Sequence, residues 1–164
     1  MEKLADFLKQ YDKIAVALSG GVDSACLLKE AVSALGPSNV LALTAETDFI
    51  PRRELNLAKR IAELAGTEHR IVPVDTLTIP EVVANGPERC YYCKRAIFSA
   101  LQQEAWLHGC AAIADGTNVD DFDDYRPGLR ALEELDIISP FLECGMGKKE
   151  IYALSGGLPT EKLP

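Results

Sequence analysis

The chain of 164 residues lacks any hydrophobic run long enough to span a bilayer, and its first residues contain no apolar segment of targeting type. It also lacks internal repeats and low-complexity segments. Basic residues are fewer than acidic ones: the chain has 17 Lys and Arg residues and 25 Asp and Glu residues, which gives a formal net charge of −8. A nucleic-acid surface needs a basic field to neutralise phosphates, so this balance argues against a nucleic-acid partner. We therefore expect a cytoplasmic protein without membrane association.

Cysteine is sparse, with five residues. In a chain without a secretory signal, a close pair of cysteines is more often metal-binding or redox-active than disulfide-bonded. Cys90 and Cys93 form such a pair near the start of a predicted helix, where the helix dipole and neighbouring basic side chains would lower the pKa of both thiols. One Cys-x-x-Cys supplies half of a zinc site or part of an iron–sulfur ligand set.

The remaining cysteines lie in different sequence contexts. Cys26 falls on an apolar helical face and Cys110 begins a buried strand, so both are predicted to be core residues. Cys144 lies in an irregular segment and is the candidate third metal ligand. The sequence leaves open whether the pair binds a metal or consists of two incidental cysteines against the sheet.

Short apolar runs alternate with helical patterns along the chain, and 48% of the residues are hydrophobic, enough to bury a core. This alternation predicts an α/β fold with a parallel five-stranded sheet and helices on both of its faces. The five strands are expected at residues 14–18, 40–45, 68–74, 111–114 and 137–138. We expect residues 1–155 to form one domain, and residues 156–164 to be a linker to a further, carboxyl-terminal domain.

The most informative motif is Ser19-Gly20-Gly21-Val22-Asp23-Ser24, between the first strand and a helical pattern. Its two glycines allow a sharp turn and a close approach to a ligand, and the start of the helix presents unpaired N–H groups. Strand, glycine turn and helix start together form an anion site suited to phosphate. The spaced Gly-Lys-Ser/Thr of a Walker loop is absent. The alternative interpretation is a capped strand-to-helix turn without a ligand.

Other polar residues follow the predicted strands. Thr44 and Asp115-Gly116-Thr117 fall at carboxyl ends, which meet at one edge of a parallel sheet, so we assign them to the same site as the glycine turn. The acidic loop of residues 120–128 then contains four Asp residues within five positions. Such a loop could hold Mg²⁺ on bound phosphates, or it could be a solvated loop that caps the next helix.

Taken together, these motifs resemble the PP-loop ATPases, and in particular their branch of ATP-dependent sacrificial sulfur transferases that build the nickel-pincer cofactor of lactate racemase. The resemblance covers essentially the whole chain. Its most specific string is Asp124-Tyr125-Arg126-Pro127-Gly128-Leu129, together with the Tyr91-Tyr92 segment and Asp115-Gly116-Thr117-Asn118. The fold it implies is that of the adenine nucleotide alpha hydrolase-like proteins.

The resemblance also implies roles for single residues. ATP would be the nucleotide, Asp23 and Ser24 would act in catalysis, and Thr44 and Gly116 would line the adenine and ribose. Members with Cys-x-x-Cys carry the transferred sulfur on an iron–sulfur cluster held by three cysteines, which implies a [4Fe–4S] cluster here, with zinc as the alternative. The implied cofactor-binding residues are Ser19, Gly20, Gly21, Asp23, Ser24, Thr44, Gly116 and Thr117, and the implied metal ligands are Cys90, Cys93 and Cys144, the first two also acting in catalysis.

The function expected on this basis is adenylation of a small-molecule carboxylate followed by sulfur transfer. Family members continue past a segment like residues 157–160 into a further cysteine and a second domain. We therefore expect a homo-oligomer or a complex with a carboxyl-terminal-half protein. The alternatives are an ATP- and metal-binding subunit that needs a partner chain, a PP-loop amidotransferase and a tRNA-thiolating enzyme.

Overall fold

The computed structural model describes residues 2–19, 21–84, 86, 89–122 and 127–155. In this part of the chain, four strands are formed: β1 (Ile14–Ala17), β2 (Val40–Glu46), β3 (Glu68–Pro73) and β4 (Ala112–Ala114). The helices are α1 (Glu2–Leu8), α2 (Val22–Leu35), α3 (Arg52–Ala65), α4 (Pro80–Val83), α5 (Arg89–Leu107), α6 (Pro127–Glu134), α7 (Pro140–Glu143) and α8 (Lys148–Leu154).

All four strands are parallel, and their order in the sheet is β3-β2-β1-β4. The chain moves outward from β1 through β2 to β3 and then returns to the other side of β1 to form β4. The strand order therefore reverses at β1, which is where ligands bind in open α/β sheets. The predicted α/β class with a parallel sheet is confirmed.

The predicted fifth strand is wrong for the residues that the structure describes. In its place, Ile138 makes a single parallel bridge to Ala114, with hydrogen bonds from Ile138 N to Ile113 O and from Asp115 N to Ile138 O, both 3.0 Å long. Asp136 has a φ of 58°, and Pro140 begins α7. Too few extended residues remain between these two points for a strand.

The two faces of the sheet bury separate apolar cores, because side chains alternate along each strand. Ile14 and Val16 of β1 point to the first face, where buried residues of α1, α2, α3 and α8 pack with Phe141 of α7. Ala15 points to the second face, which is covered by α5 and α6. Helices thus cover both faces, as the alternating pattern predicts.

None of the helices in the described part of the chain is both long enough and apolar enough to cross a membrane.

Candidate active site

The turn that follows β1 leads directly into α2. Gly21 is the residue before the first helical turn, in an extended conformation (φ −82°, ψ 164°), and no side chain caps the helix there. The first backbone bond of the helix runs from Ala25 N to Gly21 O (3.1 Å). The N–H groups of the first helical turn precede that bond, and they face the turn together with the positive end of the helix dipole.

The two serines of the motif hold this turn in shape. Ser24 Oγ accepts a hydrogen bond from Ser19 N (3.0 Å), lies 3.1 Å from Ser19 Oγ and donates to Gly21 O (3.3 Å). Ser24 is buried, whereas Ser19 is exposed. The structure therefore gives Ser24 a scaffolding role in the turn, and its catalytic role stays a prediction. Gly20, the other glycine of the motif, lies outside the described residues.

The loop after β4 packs directly against the start of α2. A Cβ placed on Gly116 would lie 3.0 Å from Asp23 Cβ, 3.1 Å from Asp23 C and 3.2 Å from Ser24 N. Asn118 Nδ2 donates to Asp23 Oδ2 (3.1 Å). The two segments that the sequence assigned to one site are thus in contact, although 95 residues separate Asp23 from Asn118.

Asp115 is the centre of a buried polar network beneath this loop. Its carboxylate accepts hydrogen bonds from Thr117 Oγ1 (2.6 Å), Thr117 N (3.3 Å) and Ser139 Oγ (2.7 Å). Asp115 and Thr117 are 6% and 8% exposed. The hydroxyl of Thr117 therefore serves the loop, and its predicted role in cofactor binding remains untested.

Thr44 on β2 is hydrogen-bonded both to the residue that follows β1 and to β3. Its Oγ1 donates to Leu18 O (2.7 Å) and lies 2.7 Å from His69 Nε2 on β3. Because the single hydroxyl proton goes to Leu18 O, His69 Nε2 donates to Thr44. Burial, with a smaller contribution from Lys59, lowers the pKa of His69 below 6.5, which favours the neutral ring. The proton of that ring lies on Nε2, the nitrogen that donates to Thr44. The Thr44 hydroxyl is therefore occupied by Leu18 O and His69 Nε2. A contact of Thr44 with adenosine would have to use its backbone atoms.

An open cleft of about 670 Å³ lies beyond Thr44, at the carboxyl ends of β2 and β3. Ile50, Leu55 and Val74 contribute apolar surface, and Arg52 and Asp75 contribute charge. This volume falls within the usual range for small-molecule sites. The cleft opens on the same edge of the sheet as the glycine turn.

The predicted metal ligands lie on different elements of the fold. Cys93 lies half-buried near the start of α5, the helix that covers the second face of the sheet. Cys144 follows α7 and packs against the core of the first face. The side chain of Cys90 lies outside the described residues. Among those that are described, no group of three or more His, Cys, Asp or Glu could hold a metal ion. Because that search does not include Cys90, the three-cysteine ligand set that the resemblance implies stays a prediction.

Tyr91, one of the two residues between the paired cysteines, has a structural role that sequence reasoning missed. Tyr91 OH donates to Glu134 Oε1 of α6, to which Arg95 Nη1 also donates (2.6 Å), and the Arg130 guanidinium lies 4.1 Å from the centre of the Tyr91 ring. The hydrogen bond to Glu134 is the main cause that raises the pKa of Tyr91 above 10. This cluster ties the cysteine-bearing start of α5 to α6.

Asn118 and Ser139 are two polar residues of the site to which the sequence analysis assigned no role. The signal for Asn118 was its place directly after Thr117 in the Asp-Gly-Thr-Asn string. Ser139 offered no comparable signal, because only the pairing of Ile138 with Ala114 brings it to Asp115.

The thiols should differ in reactivity. Cys26 is fully buried and its Sγ donates to Ile151 O (3.6 Å); burial raises its pKa to about 12. At pH 8 only about one Cys26 in ten thousand would then be a thiolate, the reactive form. We expect iodoacetamide to label Cys93 well before Cys26 in the folded protein, read by peptide mass spectrometry. Labelling of the urea-unfolded chain is the control, and equal rates in the folded state would contradict the assignment of Cys26 to the core.

The parallel sheet, the glycine turn at the reversal point and the loop packed on the start of α2 define a nucleotide-binding α/β protein of the PP-loop class. A model of the NAD synthase family matches residues 1–84, which is just over half of the chain. The chain belongs to the NAD synthase family, within the PP-loop ATPases. The resemblance that the sequence motifs indicated is confirmed at this level.

A curated relative with a functional name matches most of the chain. The pyridinium-3,5-bisthiocarboxylic acid mononucleotide synthase of Lactiplantibacillus plantarum is 35% identical over 148 residues, covering 90% of this chain and 54% of the relative. The chain spans 54–62% of the length of the first three curated relatives it matches.

Two solved structures share the fold. The NH₃-dependent NAD synthetase of Campylobacter jejuni has a TM-score of 0.69 at 21% identity, covering 98% of this chain and 72% of the synthetase. The U34-tRNA thiolase NcsA of Methanococcus maripaludis, solved with its [4Fe–4S] cluster, has a TM-score of 0.69 at 20% identity, covering 99% of this chain and 66% of the thiolase.

Proposed function

We propose that this chain is the ATP-binding part of an adenylating sulfur transferase that acts on a small-molecule carboxylate. The observation that carries the proposal is the contact between the glycine turn and the loop at residues 115–118, where Gly116 and Asn118 meet Asp23. This contact lies at the reversal point of the sheet, where open α/β sheets bind their ligands. The L. plantarum synthase, with its bisthiocarboxylic product name, supports sulfur as the group that is transferred.

The geometry suggests how ATP is held. Its phosphates would accept hydrogen bonds from the N–H groups at the start of α2, and its adenosine would extend over β2 toward the 670 Å³ cleft. Mg²⁺ is usually bound by one or two carboxylates together with substrate phosphates, and Asp23 at the helix start fits that role. When bound, the ion would neutralise the charge on the phosphates.

The reaction then proceeds in two steps. An acceptor carboxylate oxygen attacks the α-phosphorus of ATP, the bond to the β-phosphate breaks, and pyrophosphate leaves. A sulfur nucleophile attacks the resulting acyl-adenylate and displaces AMP. We propose that Cys90 and Cys93 handle this sulfur from the start of α5. No step here depends on a metal cluster.

Ammonia is the alternative nucleophile. The family model and the fold of the NH₃-dependent NAD synthetase favour this second function, in which the acyl-adenylate is converted to an amide. The two functions share the first step and differ in the second. A thiol pair at the start of α5 serves sulfur transfer, whereas amidation by ammonia has no use for it.

Product analysis tests the proposal. Purified protein with Mg²⁺, [α-³²P]ATP and a pyridinium carboxylate mononucleotide should form AMP and pyrophosphate, and hydroxylamine should trap the acyl-adenylate as a hydroxamate. Sulfide or ammonia added in separate reactions then shows which nucleophile is used. Formation of ADP and phosphate would contradict the proposal. Because the chain spans only part of its relatives, the same assay should include a relative's carboxyl-terminal half added in trans.

A further inference from the structure

Asn118 is fully buried and all of its hydrogen-bonding groups are used. Its side-chain Nδ2 donates to Asp23 Oδ2 (3.1 Å), and its Oδ1 accepts from Asp120 N (2.9 Å). Its backbone N donates to Asp121 Oδ2 (2.9 Å), and its backbone O accepts from Asp121 N (3.1 Å). With an exposed fraction of 0%, Asn118 exchanges none of these partners for water.

The orientation of the Asn118 amide is fixed by its neighbours. A backbone N–H can only donate, so the atom facing Asp120 N must be the amide oxygen. The amide nitrogen therefore faces Asp23, whose carboxylate accepts. An aspartate at this position would keep the bond from Asp120 but would place a second carboxylate about 3 Å from Asp23.

The loop that contains Asn118 is also anchored at the start of α8. Asp120 Oδ2 accepts from Lys148 N at the start of α8 (2.7 Å), and a Cβ on Gly147 would lie 2.7 Å from that oxygen. Val119 N donates to Met146 O (3.1 Å). Hydrogen bonds thus run without interruption from the start of α8 through Asp120 and Asn118 to Asp23, so Asn118 is held from the side of α8 as well as by Asp23.

We propose that Asn118 is a positioning residue that holds the Asp23 carboxylate at the start of α2, in the orientation needed for ATP and Mg²⁺. The expected effect of Asn118 on catalysis rests on the proposed function. The contact itself does not depend on that function and can be measured without turnover.

An exchange of the two side chains tests the contact. In the N118D variant two carboxylates face each other, so its melting temperature at pH 8 should fall by several degrees. In the double variant D23N/N118D the amide and carboxylate are exchanged, one donor again meets one acceptor, and at least half of that loss should be recovered. The exchange variant should nonetheless release no pyrophosphate, because the carboxylate is no longer on α2.

The two kinetic constants of N118D separate positioning from a general structural role. We expect its pyrophosphate release at saturating ATP to be reduced at least about tenfold, a cost of 1.4 kcal/mol, with a smaller change in the KM for ATP. The N56D variant, which makes the same substitution at an exposed position of α3, should match the wild type throughout.

Two results would overturn the proposal. The first is an exchange variant no more stable than N118D, or one that also fails to fold. The second is an N118D variant that releases pyrophosphate as fast as the wild type at saturating ATP, so that any loss lies in the KM for ATP alone. If the wild type itself releases no pyrophosphate, the proposed function fails, while the melting temperatures still decide whether Asn118 holds Asp23.

Discussion

Replacing Asp23 with asparagine should lower the rate of AMP and pyrophosphate formation by about a hundredfold, the loss typical when one preorganised charge-stabilising group is removed. The asparagine keeps the size of the side chain, and its oxygen can still accept from Asn118 Nδ2. The substitution removes the negative charge of the side chain. The proposed Mg²⁺ site beside the phosphates requires that charge. The rates are measured by release of ³²P-labelled pyrophosphate at saturating ATP.

The stability of D23N should change little by comparison. A negative charge in the first turn of a helix contributes about 0.3–1 kcal/mol, and that is the expected loss in the free energy of unfolding. Asp12→Asn is the matched control, because Asp12 is exposed just before the amino end of β1, at the opposite edge of the sheet. Unchanged pyrophosphate release by D23N would refute the assignment of this turn to ATP.

Local sequence patterns were sufficient to predict the elements around this turn. The buried run before Ser19 forms β1, and the helical pattern after Gly21 forms α2, because both depend on neighbours within a few residues. Parallel pairing follows from the alternation of strands and helices, because neighbouring parallel strands need a crossover connection, which is usually a helix.

Features that depend on long-range packing could not be predicted in the same way. Ile137 and Ile138 have the composition of a strand, but the backbone at Asp136 and Pro140 limits them to one bridge. Nothing in the residues around Cys144 shows which face of the sheet the segment joins, and in the fold it packs against the first core. The bond between Asn118 and Asp23 spans 95 residues and needs the folded sheet to exist.

Gly116→Ala should weaken ATP binding and lower the stability of the protein. The added methyl group would lie 3.0–3.2 Å from Asp23 Cβ, Asp23 C and Ser24 N, closer than a Cβ normally approaches its neighbours. Two of these atoms belong to the backbone of the first turn of α2, which cannot move aside as a flexible side chain would. We expect the free energy of unfolding in urea to fall by about 1–3 kcal/mol, the usual cost of overpacking.

The ATP affinity of G116A, measured by calorimetry with a non-hydrolysable analogue, should fall at least about tenfold, equivalent to 1.4 kcal/mol. The reason is that relief of the contact displaces the N–H groups that face the phosphates. Gly86→Ala is the control, because a Cβ at Gly86 meets no atom within 4 Å, and it should leave both affinity and stability unchanged. If G116A bound the analogue as tightly as the wild type, the close packing of this loop on α2 would not form part of the nucleotide site.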